Sequence, residues 1–250
     1  MERRTLKYSL ILNINAFADG DSMTKRTIIF LHGGPGFNDY LKPYLLDLKS
    51  DFNSVFYNQK RGKEITIDDL VMELDQLIGS QSDKPILLGH SWGGVLAVEY
   101  IKRFQSKTSG LILMSTGLNA SQWVQWNSEL DDLGLEDASP EELFLTSIEL
   151  DNGNYLLDET MKTFCGETFD SIFDSYLSKY DLLHDLSNIE VPILNIYGEK
   201  DLRFSKNVSN TFKNFNKSII DIEIPNAGHF SFLNIDNRKN IISSVVKYLK

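Results

Sequence analysis

The sequence predicts an α/β fold, with a mostly parallel central sheet flanked by helices and an inserted helical cap. Short apolar runs alternate with amphipathic stretches, the alternation stops after residue 117, and it resumes near residue 188. Strands that alternate with helices are typical of a parallel sheet covered on both faces. We therefore predict a core of residues 1–117 and 188–250 and a cap of residues 118–187.

Several apolar runs in the core have the length and composition of buried strands. They lie at Thr27–Leu31, Val55–Tyr57, Pro85–Leu88, Leu111–Met114, Val191–Tyr197 and Ile219–Ile224. Upstream, Leu10, Leu12 and Ile14 alternate with polar residues, which suits a half-buried strand. The same stretch follows basic residues and precedes Ala16-Phe17-Ala18, so a short signal peptide is the less favoured interpretation.

Helices are expected between these strands. Thr66 and Asp69 fit a capping box, and Leu70 and Leu74 follow at helical spacing. Helical patterns also occur at Tyr40–Leu48, Val95–Ile101, Ser205–Phe215 and Ile241–Leu249.

Charge and composition limit the class of partner. The 250 residues carry a net charge of −10, which argues against nucleic acid and anionic membranes as partners. The predicted cap holds 16 acidic and 2 basic side chains, so its own charge is −14. The chain has no apolar run of the length of a transmembrane helix. Cys165 is the only cysteine, so no intrachain disulfide is possible and a cytoplasmic location is the default expectation.

The sequence GHSWG at Gly89–Gly93 matches the G-x-S-x-G pattern of a nucleophile elbow. A predicted strand leads into this motif and a predicted helix leaves from it, and such a turn lifts a serine hydroxyl above the sheet. Both glycines are needed because the strand and helix backbones come too close for side chains. We therefore predict that Ser91 is a catalytic nucleophile.

A serine hydroxyl needs a base, and the chain offers four histidines. His90 adjoins the serine, so the elbow should turn its ring away. His32 is expected to brace a glycine-rich loop, and His184 is expected at the surface. His229 follows the last predicted strand in a glycine-containing loop, from which its ring can reach the serine. His229 is therefore the predicted base.

The acid of such a site should follow the strand between the serine and the histidine. Asp201 comes just beyond the strand that ends near Tyr197. We predict that its carboxylate holds the required tautomer of His229 and stabilises the imidazolium that forms during attack. Glu199 is the alternative acid.

The sequence HGGPG at His32–Gly36, here called the glycine loop, directly follows the first core strand. Attack on a carbonyl creates an oxyanion, which preorganised backbone N–H donors stabilise. We predict that the amides of Gly34 and Trp92 form this oxyanion hole. The loop matches no common phosphate-binding pattern, and we predict neither a cofactor nor a metal site.

With these motifs in this order, the chain resembles the proline iminopeptidase-type α/β hydrolases. The resemblance covers residues 20–116 and 188–250, and it rests mainly on HGGPG and on the tryptophan after the serine. It implies the α/β-hydrolase fold, oxyanion-hole roles for Gly34 and Trp92, and removal of an N-terminal proline whose amine is held by cap carboxylates. One departure is NQKRG at Asn58–Gly62, where the family usually has DQRG.

The sequence thus predicts a serine hydrolase that cleaves an amide or ester bond through an acyl-enzyme. The first hypothesis is an aminopeptidase-like enzyme acting on small molecules or short peptides, whose cationic N-termini the acidic cap would attract. The second is a carboxylesterase on small neutral esters, with cap aromatic residues lining an acyl pocket. The third, a non-catalytic binding protein, is disfavoured because binding alone does not require a complete catalytic set.

Overall fold

A computed structural model of the protein describes residues 25–122, 161–201, 203–204 and 206–250. Within these ranges one parallel sheet has the strand order β2-β1-β3-β4-β5-β6. The strands are β1 (Thr27–Leu31), β2 (Asn53–Phe56), β3 (Ile86–His90), β4 (Gly110–Met114), β5 (Ile193–Gly198) and β6 (Ile220–Ile224). Each predicted core run supplies one of these strands, so the parallel sheet predicted from the sequence is confirmed.

Helices pack against both faces of this sheet. They are α1 (Lys42–Leu45), α2 (Ile67–Gly79), α3 (Trp92–Phe104), α4 (Gly166–Ile172), α5 (Lys206–Phe215) and α6 (Ile235–Leu249). The predicted capping box of α2 is present, because Thr66 Oγ1 accepts from the amide of Asp69 and the Asp69 carboxylate accepts from the amide of Thr66. No helix in the described ranges is long and apolar enough to cross a membrane.

Alternate side chains of the strands enter two hydrophobic clusters, one on each face of the sheet. In β1, Ile29 and Leu31 pack into the cluster that contains residues of α2, α3 and α5. Ile28 and Phe30 point the other way, into the cluster that contains residues of α1 and α6. The sheet is therefore buried on both sides, and its carboxyl edge is left for the loops that carry the predicted site residues.

The predicted cap is described only in part. Residues 123–160 lie outside the described residues, as does the predicted strand at Leu10–Ile14. The described part returns through α4, a π-helical turn at Phe173–Leu177 and a 3-10 turn at His184–Asn188. Its two connections to the core pair with each other, since the amide of Ala120 donates to the Tyr180 carbonyl and the amide of Leu182 donates to the Leu118 carbonyl, both at 2.8 Å.

The loop after β2 is bonded to the described segment of the predicted cap that leads back to the core. Arg61 Nη1 donates to the Thr163 carbonyl at 2.6 Å, and the amide of Gly62 donates to Thr168 Oγ1 at 2.8 Å. On α3, the buried carboxylate of Glu99 accepts a 2.7 Å hydrogen bond from the Tyr176 hydroxyl. The beginning and the middle of this segment are thus both bonded to the core.

Candidate active site

Ser91 lies in a strained turn between a strand and a helix. It is the single residue between β3 and α3, and its φ of 53° with ψ of −120° is unusual for a residue with a side chain. Such a conformation costs about 1–3 kcal/mol and persists only where the surrounding structure enforces it. The turn is enforced by close packing, because a Cβ on Gly93 would lie 2.0 Å from the Leu31 carbonyl oxygen. A Cβ on Gly89 would lie 2.4 Å from the Gly93 backbone. The predicted strand–turn–helix context of Ser91 is therefore present.

His229 and Asp201 form a buried pair at the carboxyl edge of the sheet. His229 Nδ1 lies 3.1 Å from Asp201 Oδ2, and both side chains are fully buried. Asp201 Oδ1 also accepts from the amides of Arg203 and Phe204, at 2.9 and 3.0 Å. These two amides fix the carboxylate in the turn after β5, with its second oxygen directed at the imidazole.

The electrostatics of this pair favour a neutral imidazole beside a charged carboxylate. Burial tends to raise the pKa of Asp201, but the attraction to His229 when that ring is protonated, the hydrogen bond to His229 and the amide of Phe204 outweigh it and lower the pKa to about 2. Burial lowers the pKa of His229 below 6.5, an effect that the Asp201 carboxylate offsets only in part. Since Nδ1 donates its proton to Asp201, the lone pair of the neutral ring is on Nε2.

Nε2 of His229 is buried and has no hydrogen-bond partner within the described residues. The structure therefore brings His229 and Asp201 together, whereas the expected hydrogen bond from the Ser91 hydroxyl to His229 is not formed. Such catalytic hydrogen bonds are often long or misaligned before substrate binds. The ring is nonetheless close to the nucleophile turn, since its centroid lies 4.9 Å from that of His90, the residue before Ser91.

Glu199, the alternative acid, has a different partner. Its Oε2 accepts from the amide of Asn226 at 2.8 Å, and the side chain is exposed. This contact ties the turn after β5 to the loop after β6, in which Asn226 has a φ of 56°. Asp201, and not Glu199, therefore lies at the imidazole.

The glycine loop lies directly against the nucleophile turn. A Cβ on Gly33 would be 3.0 Å from the Cβ of Ser91. Gly34 has a φ of +59°, and a Cβ there would lie 2.2 Å from the ring of Phe37, so both the backbone and the packing demand glycine. Trp92 is the first residue of α3, where backbone amides have no acceptor within the helix. Gly34 thus lies in a loop that packs against the nucleophile turn, and Trp92 begins the helix that leaves this turn.

His32 braces the glycine loop as predicted. Its Nδ1 donates to the Gly33 carbonyl at 3.0 Å, and its Nε2 accepts from the amide of Gln59 at 3.3 Å. Burial lowers the pKa of His32 to about 4, so the ring is neutral at physiological pH. His184 is exposed and packs edge-on against Phe215.

Gln59 is a site residue for which the sequence predicted no role. Its side-chain amide donates to the His32 carbonyl at 2.9 Å, and its Oε1 accepts from the indole of Trp92 at 2.9 Å. It therefore joins the glycine loop to the residue after the nucleophile. The available signal was the family pattern DQRG, because Asn58–Gly62 retains the glutamine although the aspartate is absent.

Five of the 16 acidic residues of the predicted cap lie in the described ranges, and they lie at the surface or form ion pairs with the core. Glu167 pairs with Lys63 and Asp185 pairs with Lys102, each at 3.1 Å. The other three are exposed (Asp170, Asp174 and Asp181). In the part of the chain that the structure describes, no three His, Cys, Asp or Glu side chains are grouped as metal ligands.

Comparison with known proteins identifies the family. The sequence profile of the Alpha/beta hydrolase family matches residues 28–240. A proline iminopeptidase of Flavobacterium johnsoniae is 22% identical, over 90% of this chain and 90% of its own length. A proline iminopeptidase of Saccharolobus solfataricus is 40% identical over 110 residues, which are 39% of this chain but only 35% of that relative.

Among solved structures, MenH from S. aureus superposes with a TM-score of 0.71 at 17% identity, and the match covers 93% of this chain and 96% of that one. At this identity the likeness shows the fold alone. The family match extends across the strands, the nucleophile turn and His229. The chain therefore belongs to the alpha/beta hydrolase family and, within it, is similar to the proline iminopeptidases.

Proposed function

We propose that this protein is a serine hydrolase in which Ser91, His229 and Asp201 form the catalytic triad. The observation that carries the proposal is the buried His229–Asp201 pair, whose imidazole is held neutral with Nε2 available. A buried carboxylate–imidazole pair near a serine with a strained backbone lowers the stability of the folded protein. Such features are concentrated at functional sites.

In the proposed reaction the Ser91 hydroxyl attacks the substrate carbonyl carbon while its proton passes to His229 Nε2. Asp201 stabilises the imidazolium that forms. Collapse of the tetrahedral intermediate breaks the bond to the leaving amine or alcohol, which takes the proton from His229, and leaves an acyl-Ser91 ester. Water then attacks this ester, with His229 again as base, and releases the acid and the free serine.

The amides of Gly34 and Trp92 are proposed to bind the oxyanion of each tetrahedral intermediate. Two features support this assignment: the positive φ of Gly34 and the position of Trp92 in the first turn of α3. Loss of one such donor costs about 10²–10³ in kcat in other serine hydrolases. Gln59 supports the arrangement, because it bonds both the glycine loop and the Trp92 indole.

The proposed substrate is a small aminoacyl amide or short peptide with a free N-terminus, cleaved after its first residue. Similarity to relatives named proline iminopeptidase supports this choice. The net charge of −14 over residues 118–187, the proposed cap, would concentrate cations near the site. The five described acids of that segment serve as surface charges or ion-pair partners, so their part in recognition would be through the long-range field.

A carboxylesterase acting on small neutral esters is the second candidate, and a specific observation favours it. Phe164 of the proposed cap packs on Phe37 of the core with ring centroids 4.6 Å apart, and Phe169 lies 6.0 Å from Phe164. Phe37 is also the ring against which Gly34 packs. An aromatic cluster next to the proposed oxyanion hole suits an apolar acyl group.

One activity panel separates these functions. It compares prolyl and other aminoacyl arylamides, the same arylamides with an acetylated amine, and short-chain aryl esters, each with Ser91→Ala as blank. Hydrolysis of the free-amine arylamides alone supports the aminopeptidase, whereas equal rates on both arylamide forms, or turnover of esters alone, supports the esterase. If no substrate is turned over faster by the wild-type protein than by Ser91→Ala, the serine-hydrolase proposal is wrong.

A further inference from the structure

A chain of buried hydrogen bonds runs from the glycine loop to the loop that carries His229. The amide of Gly33 donates to Tyr40 Oη at 2.8 Å, and Tyr40 Oη lies 2.6 Å from His90 Nδ1. His90 Nε2 in turn lies 3.0 Å from the backbone carbonyl oxygen of His229. The side chains of Tyr40 and His90 are both buried, so solvent does not compete for these bonds.

The direction of every proton in this chain follows from the partners. The carbonyl of His229 can only accept, so Nε2 of His90 carries a proton. Burial lowers the pKa of His90 well below its ordinary value, so the ring is neutral and its Nδ1 is an acceptor. The single hydroxyl proton of Tyr40 therefore points to Nδ1, and Tyr40 Oη accepts from Gly33. All donors and acceptors are matched in only this one arrangement.

This series of hydrogen bonds reaches the backbone at or next to three proposed catalytic groups. Gly33 precedes Gly34, His90 precedes Ser91, and the last acceptor belongs to His229 itself. The rings have little room to rotate, because Tyr40 stacks on Phe232 at 6.2 Å and His90 meets the same ring edge-on at 5.1 Å. Three loops that leave different strands are thus held together by two side chains.

We propose that Tyr40 and His90 are positioning residues, which hold the oxyanion-hole amide, the nucleophile and the base in register for the reaction. This inference rests on the proposed serine-hydrolase function. Neither side chain touches the reacting atoms, so both act through Gly33, Ser91 and His229. Removal of the Tyr40 hydroxyl leaves the Gly33 amide without this acceptor and His90 Nδ1 without this donor, which loosens the catalytic geometry while the aromatic packing is kept.

Tyr40→Phe tests this role, with Tyr100→Phe as the matched control. Tyr100 is also fully buried, but it belongs to the hydrophobic cluster on the opposite face of the sheet from Tyr40. Its hydroxyl donates to Asp75 at 2.8 Å. The probe is an alkyl fluorophosphonate, which bonds to an activated serine Oγ with loss of fluoride and needs no knowledge of the substrate. Its second-order rate at Ser91 and the kcat and KM for an aryl ester are measured for wild type and both variants.

We expect Tyr40→Phe to lower the labelling rate and kcat by about ten- to a hundredfold with little change in KM, because small displacements of catalytic groups have effects of this size. Tyr100→Phe should lose about as much thermal stability as Tyr40→Phe but keep the labelling rate and kcat of wild type. If Tyr40→Phe reacts as fast as Tyr100→Phe, the positioning role is refuted while the serine-hydrolase proposal stands. If the wild-type protein is not labelled at Ser91, both the positioning role and the serine-hydrolase proposal are wrong.

A second measurement reads the protonation of His90 in the unmodified protein, and a variant serves only to assign its signals. Nitrogen-15 NMR of labelled histidines should show a neutral His90 with its proton on Nε2, assigned by the loss of its signals in His90→Asn. His32 provides an internal contrast, since its contacts require the proton on Nδ1. A proton on Nδ1 of His90, or an imidazolium at neutral pH, would contradict the hydrogen-bond chain and overturn the inference.

Discussion

Asp201→Asn should abolish the base function of His229 while leaving the fold in place. Asp201 Oδ1 accepts two backbone amides, from Arg203 and Phe204, and Oδ2 faces His229 Nδ1. An asparagine must direct its oxygen at the two amides, because the reverse orientation would set its own N–H groups against them. Its NH₂ group then faces Nδ1 of His229 and donates to it. The imidazole is driven to the tautomer with a proton on Nε2, which cannot accept a proton from Ser91.

The magnitude follows from which contacts are lost and which remain. The two bonds to the backbone are kept, so the stability loss is limited to the charge-assisted bond with His229, about 2 kcal/mol. The loss of kcat should be far larger, about 10⁴-fold, as for the same change in another Ser-His-Asp triad. That factor corresponds to about 5 kcal/mol of transition-state stabilisation. Thermal unfolding and kcat on the best substrate of the panel measure the two effects separately.

Glu199→Gln is the matched control, because the same change of carboxylate to amide is made two residues away. The Glu199 side chain is exposed, and a glutamine oxygen can still accept from Asn226. We expect its kcat to stay close to that of wild type, because the contact with Asn226 can be kept and does not involve His229. A folded Asp201→Asn protein with a kcat within tenfold of wild type would show that Asp201 is not the acid of the triad, and a large loss in Glu199→Gln would assign the acid role to that residue.

The same geometry predicts the effects of substitutions at Ser91, of pH and of a substitution at Gly93. Ser91→Ala and Ser91→Gly should both lower turnover by several orders of magnitude, because each removes the nucleophile. In thermal unfolding Ser91→Gly should be more stable than Ser91→Ala by about 1 kcal/mol, because glycine tolerates the positive φ at this position. Equal stabilities of the two variants would argue against backbone strain at residue 91. The kcat/KM for a neutral substrate should rise with pH and reach half its plateau below pH 6.5, because burial lowers the pKa of His229 and only the neutral ring accepts a proton. A midpoint above pH 6.5 would contradict the lowered pKa of His229. Gly93→Ala should destabilise the protein by about 3 kcal/mol, since its Cβ would lie 2.0 Å from the Leu31 carbonyl oxygen. A variant with the thermal stability of wild type would show that the turn can relax around the added methyl group.

The fold could be predicted from the sequence because its strands are buried on both faces and read as continuous apolar runs. The run Ile28–Leu31 is an example, since all of its side chains are fully buried and adjacent ones enter opposite clusters. The nucleophile turn could be predicted as well, because its backbone contacts exclude side chains at Gly89 and Gly93. Chain order singled out His229 and Asp201, which the structure places together.

What escaped prediction are contacts between loops that are distant in the sequence. Gln59 meets His32 and Trp92 across separations of 27 and 33 residues, and Tyr40 meets His90 across 50. No local pattern encodes which glutamine or tyrosine faces inward, because that depends on how neighbouring strands place their loops. The surface and ion-pair roles of Glu167 and Asp185 also depend on their partners in the core.

The strained backbone of this protein is concentrated on the side of the sheet where the proposed site lies. Within the described residues, every positive φ occurs in a segment that follows the carboxyl end of a strand. Ser91 follows β3 and Ser115 follows β4 directly, Gly34 lies in the loop after β1, and Asn226 in the loop after β6. The buried strands hold the ends of these loops fixed, so the loops can keep conformations that an isolated segment would relax. The same rigidity explains why two buried side chains, Tyr40 and His90, are enough to align three of these loops.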